Sequence, residues 1–192
     1  MKLYYATGAC SMASHIALIE GGVDFEAVKV DLRAHRTEHG EDFYAISPRG
    51  YVPAIETGFG LLTENPAVLA WIADETGTTP QGEAYYRLLE WIGFIGTEIH
   101  GGYHPLFGQD SDHRQAAAKE GLATKYRLAE QFMAGRDWLV GDTPGVADNY
   151  LFVTLLWARK FGVELPGALS AFFERNLARA AVQEAMKREG LS

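Results

Sequence analysis

Lys2-Leu3-Tyr4-Tyr5-Ala6-Thr7-Gly8-Ala9-Cys10-Ser11-Met12-Ala13-Ser14-His15-Ile16 is the stretch that decides the architecture. Leu3, Tyr4 and Tyr5 favour a strand over residues 2–6. Thr7-Gly8-Ala9 turns the chain. From Ser11, Met12, Ile16 and Ile19 share one face of a helix that Gly21-Gly22 ends. Cys10 therefore stands where a strand hands over to a helix, among unpaired N–H groups that favour negative charge. A thiol there loses its proton more easily, and thiolate is its reactive form. A buried structural cysteine fits the position equally well. Position 13 is Ala13, so a Cys-x-x-Cys dithiol is excluded.

Further along, residues 25–31 alternate as a second strand, and residues 40–46 suggest a short helix stopped by Ser47-Pro48. Two short strands, 53–56 and 61–63, flank the hairpin turn Gly58-Phe59-Gly60. A helix over 66–75 ends at Gly77. The order over residues 1–77 is β-α-β-α-β-β-α, an α/β domain. Residues 78–83, with Thr78, Thr79 and Pro80, read as a linker. Residues 84–192 read as all-helical, with helices at 84–107, 111–134, 146–161, 168–177 and 180–188. Strands first and helices second imply segregated layers.

Hydrophobic residues make up 47% of the 192 and charged residues 22%, enough apolar material for packed cores. The net charge is −8 and no Lys/Arg run appears, which argues against nucleic acid as a partner. The longest apolar stretch, near 151–158, is far too short for a membrane span, and the N-terminus lacks a signal-peptide core. A cytoplasmic protein is expected. Cys10 is the only cysteine, so neither an internal disulfide nor a cysteine zinc site is available.

Several motifs carry chemistry in one reading and only structure in another. Val52-Pro53 is either a strand-entry proline or a cis bond at which Val52 offers its N–H and C=O to a peptide-like ligand. In Glu64-Asn65-Pro66, Asn65 reads as N-cap and Pro66 as the first helical residue. Such a helix start also receives carboxylates, and Glu64 could accept from an ammonium group. Gly145 and Asp148 form an incomplete capping box. His100 and His104 are four apart, but Gly101-Gly102 and Pro105 weaken that helix, and no metal site is expected. Tyr103, Leu106, Phe107 and Trp157 are core residues or the lining of an apolar pocket. Arg33, His35 and Arg36 read as a solvated loop open to an anionic ligand.

The chain resembles the bacterial beta-class glutathione transferases, the cysteine-containing type, over essentially its whole length. The likeness is carried by Gly8-Ala9-Cys10-Ser11, His15-Ile16-Ala17-Leu18, Ile46-Ser47-Pro48-Arg49-Gly50-Tyr51-Val52-Pro53-Ala54 and Leu62-Thr63-Glu64. In the helical half it is carried by Thr97-Glu98-Ile99-His100, Pro105-Leu106-Phe107 and Val146-Ala147-Asp148. The resemblance implies a thioredoxin-like domain followed by an all-helical bundle, assembled as a homodimer. It implies glutathione as cosubstrate, no other cofactor, and a hydrophobic electrophile on the helical domain. Catalytic roles fall to Cys10, Ser11 and His100. Glutathione contacts fall to Cys10, His35, Val52, cis Pro53, Glu64, Asn65 and His100. Tyr103, His104, Phe107 and Trp157 are the expected hydrophobic-substrate residues. The chain departs from the family pattern at Asn65 (usually Ser), His35 and Gly101 (usually Lys), Gly93 (usually Asn) and Gly145 (usually Ser or Thr).

These residues support three readings. In the first, glutathione thiolate is conjugated to a hydrophobic electrophile. In the second, a glutathione-dependent thiol–disulfide or peroxidase chemistry runs through Cys10. In the third, motivated by the departures, a non-catalytic module with a weakened glutathione site binds ligands or a protein.

Overall fold

The computed structural model describes residues 1–108, 110–133 and 135–191. The chain divides into two compact units, Met1–Thr79 with Ala178–Ser192, and Pro80–Leu177.

The first unit contains β1 (Lys2–Tyr5), α1 (Ser11–Glu20), β2 (Glu26–Asp31), β3 (Arg36–Thr37), α2 (Phe43–Ile46), β4 (Ala54–Thr57), β5 (Gly60–Thr63) and α3 (Asn65–Glu75). The sheet order is β3-β2-β1-β4-β5. β1 runs parallel to β2 and antiparallel to β4, so Tyr4 lies between Val28 and Ala54. One sheet face buries Tyr4, Val28, Val30, Phe43, Val52 and Ala54 in a single cluster. Leu3 and Ile55 alternate with these along the strands and are fully buried on the opposite face, where α1 and α3 pack.

β3 is an addition to the sequence reading, which left residues 33–36 as a solvated loop. Asp31 Oδ1 accepts from the N–H groups of Arg33 (2.8 Å) and Ala34 (3.1 Å). That side-chain turn folds the chain back, and Arg36 pairs with Asp31.

The C-terminal helix α9 (Ala180–Glu189) also belongs to this unit, whereas the sequence division placed residues 178–192 with the helical domain. Val182 and Ala185 are fully buried, and α9 packs on α1. Glu189 accepts from Gly8 N–H at Oε2 (2.8 Å) and meets His15 Nδ1 at Oε1 (3.0 Å). Both of these side chains are completely buried.

The second unit contains α4 (Glu83–Phe94), α5 (His104–Phe107), α6 (Asp112–Met133), α7 (Val146–Phe161) and α8 (Gly167–Leu177). The single helix expected over 84–107 keeps its path but changes its winding. It is π-helical over Ile95–His100 and 3-10 over Gly101–Tyr103 before α5 begins. Gly96, Gly101 and Gly102 lower the cost of leaving α geometry, and Pro105 sits in the first turn of α5. The expected end of the next helix, Ala134, lies outside the described residues.

α7 is buried on all sides from Val146 to Leu155. Asp148 secures its entry, accepting from Gly145 N–H (2.8 Å) and Leu139 N–H (2.9 Å). This is the half of a capping box that needs no side chain at the cap.

Candidate active site

Cys10 occupies the N-cap of α1 and is buried. Its Sγ donates to the Val52 carbonyl oxygen at 3.3 Å. Burial pushes the thiol up to about 12, and the Glu64 carboxylate adds to the rise. The hydrogen bonds from the Ser11 and Cys10 N–H groups pull the other way, each by more than Glu64 adds but by less than burial. Of the two readings of Cys10, this favours the buried cysteine over the easily ionised one: loss of hydration outweighs the helix N-terminus. Ser11, expected beside it as a catalytic residue, is fully buried. Its hydroxyl accepts from Ala6 N–H (3.2 Å) and holds the β1–α1 turn. That is a structural task.

The Val52–Pro53 bond is cis. The Val52 carbonyl faces the Cys10 thiol just before the start of β4.

Glu64 lies between β5 and α3 with φ 70° and ψ 115°. Positive φ is costly for a residue with a side chain, roughly 1–3 kcal/mol, and such backbones cluster at functional sites. Glu64, not Asn65, is the N-cap of α3, which corrects the expected cap. Its carboxylate pairs with Arg49, a residue the sequence reading quoted but gave no role. Arg49 is presented by the loop before Val52. The next residue, Gly50, has φ 68°, and a β-carbon there would lie 2.5 Å from the Tyr44 ring.

Asn65 is 5% exposed and points inward. Its Oδ1 accepts from the Ser14 hydroxyl on α1 (3.3 Å), while Nδ2 is buried without a partner. His35 is half-buried, with φ 50°, and stacks on Tyr44 at 4.2 Å between ring centres. Its Nε2 lies 3.0 Å from the Tyr44 hydroxyl. The structure therefore gathers Cys10, Val52, Pro53, Glu64 and Asn65 around the starts of α1, β4 and α3. His35 sits on the loop after β2.

In the second unit His100 ends the π-helical segment. Its Nδ1 is 2.7 Å from the Tyr150 hydroxyl, and its ring meets Trp157 edge-on at 4.9 Å. Burial, with a smaller contribution from His104, lowers the imidazole to about 4. Tyr103 is fully buried, its hydroxyl shared with Tyr126 (2.8 Å) and with the Thr154 carbonyl (3.1 Å). It is a core residue and lines no surface, contrary to the expected pocket role. Trp157 is also buried, packed against His100, Tyr103 and Phe107. Only His104 and Phe107 of the expected four are exposed. Among the described residues, no group of three or more His, Cys, Asp or Glu side chains could hold a metal ion.

Ser14, Arg49, Tyr44 and Tyr150 are the partners that the sequence reading missed. Each meets its partner across a gap in sequence, and no local motif names that pairing.

A mixed sheet with one cysteine before its first helix and a cis-proline opening a later strand defines a thioredoxin-like thiol-binding unit, here joined to a helical one. Comparison with known proteins gives the family. Residues 1–74 match the glutathione S-transferase N-terminal domain, and residues 94–180 match the C-terminal domain. The chain belongs to the glutathione S-transferase family and is a transferase with glutathione as its cosubstrate. Within the family its likeness is to bacterial, beta-class members. It is 38% identical to glutathione S-transferase GstA of Escherichia coli O157:H7 over 100% of both chains. A sphingomonad glutathione S-transferase solved in complex with glutathione is 44% identical, with TM-score 0.94 and 100% of each chain covered. The beta-class enzyme of Sphingomonas chungbukensis is 38% identical, again with TM-score 0.94 and full coverage of both.

Proposed function

We propose that the chain joins glutathione to a hydrophobic electrophile, with the tripeptide held on the first unit by Val52, cis Pro53, Glu64 and the start of α3. The observation that carries this reading is the position of Cys10. Its protonated thiol faces the Val52 carbonyl beside the cis bond. A thiol held up at about 12 is a donor, not a nucleophile. Turned from Val52 to the glutathione sulfur, its S–H stabilises the glutathione thiolate. That thiolate attacks the electrophilic carbon, forms the carbon–sulfur bond and expels the leaving group with its electron pair. The proton lost by glutathione passes to solvent.

Glu64 receives the ammonium of the γ-glutamyl end, and the first turn of α3 receives its carboxylate. Asn65 contributes backbone there and not its carboxamide, which is turned to Ser14. His35 faces an anionic end of the tripeptide, and on the second unit His100 offers a hydrogen bond to a ligand. Exposed Phe107 and His104 contact the apolar cosubstrate. We further propose a cytoplasmic homodimer. No helix among the described residues is long and apolar enough to cross a membrane.

The buried, protonated state of Cys10 weighs against thiol–disulfide exchange as the main activity. The test is glutathione conjugation to a chlorinated nitrobenzene, with Cys10→Ala alongside. Turnover that survives in Cys10→Ala at reduced rate is expected. Absence of turnover with every electrophile, together with no glutathione binding by calorimetry, would leave the non-catalytic module as the surviving reading.

A further inference from the structure

We propose that Tyr150 fixes His100 in the tautomer protonated at Nε2, so that His100 meets its ligand as a hydrogen-bond donor and not as a proton acceptor. Tyr150 is a positioning residue acting through His100, and this deepens the conjugation reading given above.

The geometry is specific. The Tyr150 hydroxyl lies 2.7 Å from His100 Nδ1, and the two rings stand at 90°. Tyr150 is 1% exposed on the buried helix α7, so its hydroxyl cannot swing into water. His100 is held from the other side by the edge of Trp157. The switch to π-helical winding over Ile95–His100 sets the register of the His100 side chain, and π segments recur at functional sites.

A hydrogen bond between a phenol and a neutral imidazole can run either way. The phenol is the stronger acid of the two and the imidazole nitrogen the stronger base, so O–H to Nδ1 is the favoured direction. Nδ1 then carries no proton, and Nε2 must carry one. Nε2 has no partner among the described residues. The other titratable groups nearby do not compete: His104 is exposed, and the Tyr103 hydroxyl is engaged by Tyr126 and Thr154. The ring stays neutral through the physiological range because burial disfavours its cation.

The test is long-range proton–nitrogen NMR on protein labelled with nitrogen-15 histidine, the His100 signals assigned by their loss in His100→Gln. The wild type should show one tautomer, bare at Nδ1 and protonated at Nε2, unchanged between pH 6 and 8. Tyr150→Phe should show a mixture of tautomers. Its kcat should fall about fivefold, the kinetic equivalent of one ordinary hydrogen bond, with KM for glutathione nearly unchanged. A protonated Nδ1 in the wild type overturns the proposal, and that spectrum decides even if Tyr150→Phe does not fold. So does a tautomer ratio that Tyr150→Phe leaves unaltered, or an unaltered kcat where His100→Gln lowers it. A His100→Gln enzyme running at full rate would instead remove His100 from the site, while the tautomer result would stand.

Discussion

The sulfur of Cys10 lies 3.3 Å from the carbonyl oxygen of Val52, and burial holds that thiol protonated up to about pH 12. Relative to the ordinary value of 9, this leaves about a thousandfold less thiolate at neutral pH. Alkylation of Cys10 by iodoacetamide should accordingly be slow at pH 7 and still climbing at pH 10. A reaction rate that levels off below pH 9 would show an activated thiol. The stability consequence has a fixed sign. The folded value is raised, so the contribution is complete below the unfolded value near 9 and is lost as pH rises toward 12. Cys10→Ala should therefore flatten the alkaline fall in stability.

Glu64 combines a positive φ with an exposed ion pair to Arg49, each side chain 62% exposed. Exposed pairs contribute little to folding, about 0–1 kcal/mol. Glu64→Gln keeps the backbone and removes the charge. Its Tm should stay within about 3 °C of wild type. Glutathione affinity should fall about tenfold, the loss expected for one charge-assisted hydrogen bond. Retained affinity with a large drop in Tm would mean that Glu64 serves the fold alone.

Local features were legible because their causes lie close in sequence. The hairpin lies where the sequence put it, though its turn is the two residues Gly58-Phe59, with Thr57 and Gly60 paired in the strands, and α7 runs over the residues that its apolar pattern marks. The start of α3 was misplaced by one residue because proline fits either of the first helical positions. What stayed hidden depends on distant partners. Asn65 is claimed by Ser14, 51 residues away, and Glu189 by His15, 174 away. The raised Cys10 thiol depends on how completely water is excluded, which no motif encodes.

Asn65 stands where the family resemblance leads one to expect serine, and its carboxamide is turned to Ser14 with Nδ2 unpaired. Asn65→Ser removes that buried amide, whose missing bond costs about 1–3 kcal/mol, and gives up the Ser14 bond in exchange. Stability should change by less than about 1 kcal/mol. A hydroxyl at the mouth of α3 should lower KM for glutathione about threefold, worth roughly half of one ordinary hydrogen bond. Steady-state kinetics with varied glutathione measures it, and a raised KM would count against the proposed carboxylate site.

His100 titrates near 4 because it is buried, below the ordinary value of 6.5. For a base lowered in the folded state, the unfolded chain binds the extra proton first. Stability is complete above about 6.5 and declines as pH falls through 4, by up to about 3 kcal/mol. Denaturant unfolding of wild type and His100→Gln at pH 7 and pH 4.5 should show the smaller acid loss in the variant. Equal losses in the two would place the His100 ring in water.

Glu189 links three parts of the first unit: α9, His15 on α1, and Gly8 in the loop that leads to Cys10. A buried carboxylate is costly, and here both oxygens are answered, one by a backbone N–H and one by the imidazole. Glu189→Ala removes the carboxylate that Gly8 N–H and His15 Nδ1 both meet and opens a cavity, so a loss of about 3–5 kcal/mol is expected. Glu189→Gln keeps an acceptor for Gly8 and fills the same volume, and should recover most of that loss. Because Gly8 is two residues from Cys10, the alanine variant should also alkylate faster at Cys10 as the loop loosens, measured well below its unfolding midpoint. If Glu189→Ala unfolds like wild type, α9 is held by its apolar face, Val182 and Ala185, and the buried carboxylate contributes nothing to the thiol's surroundings.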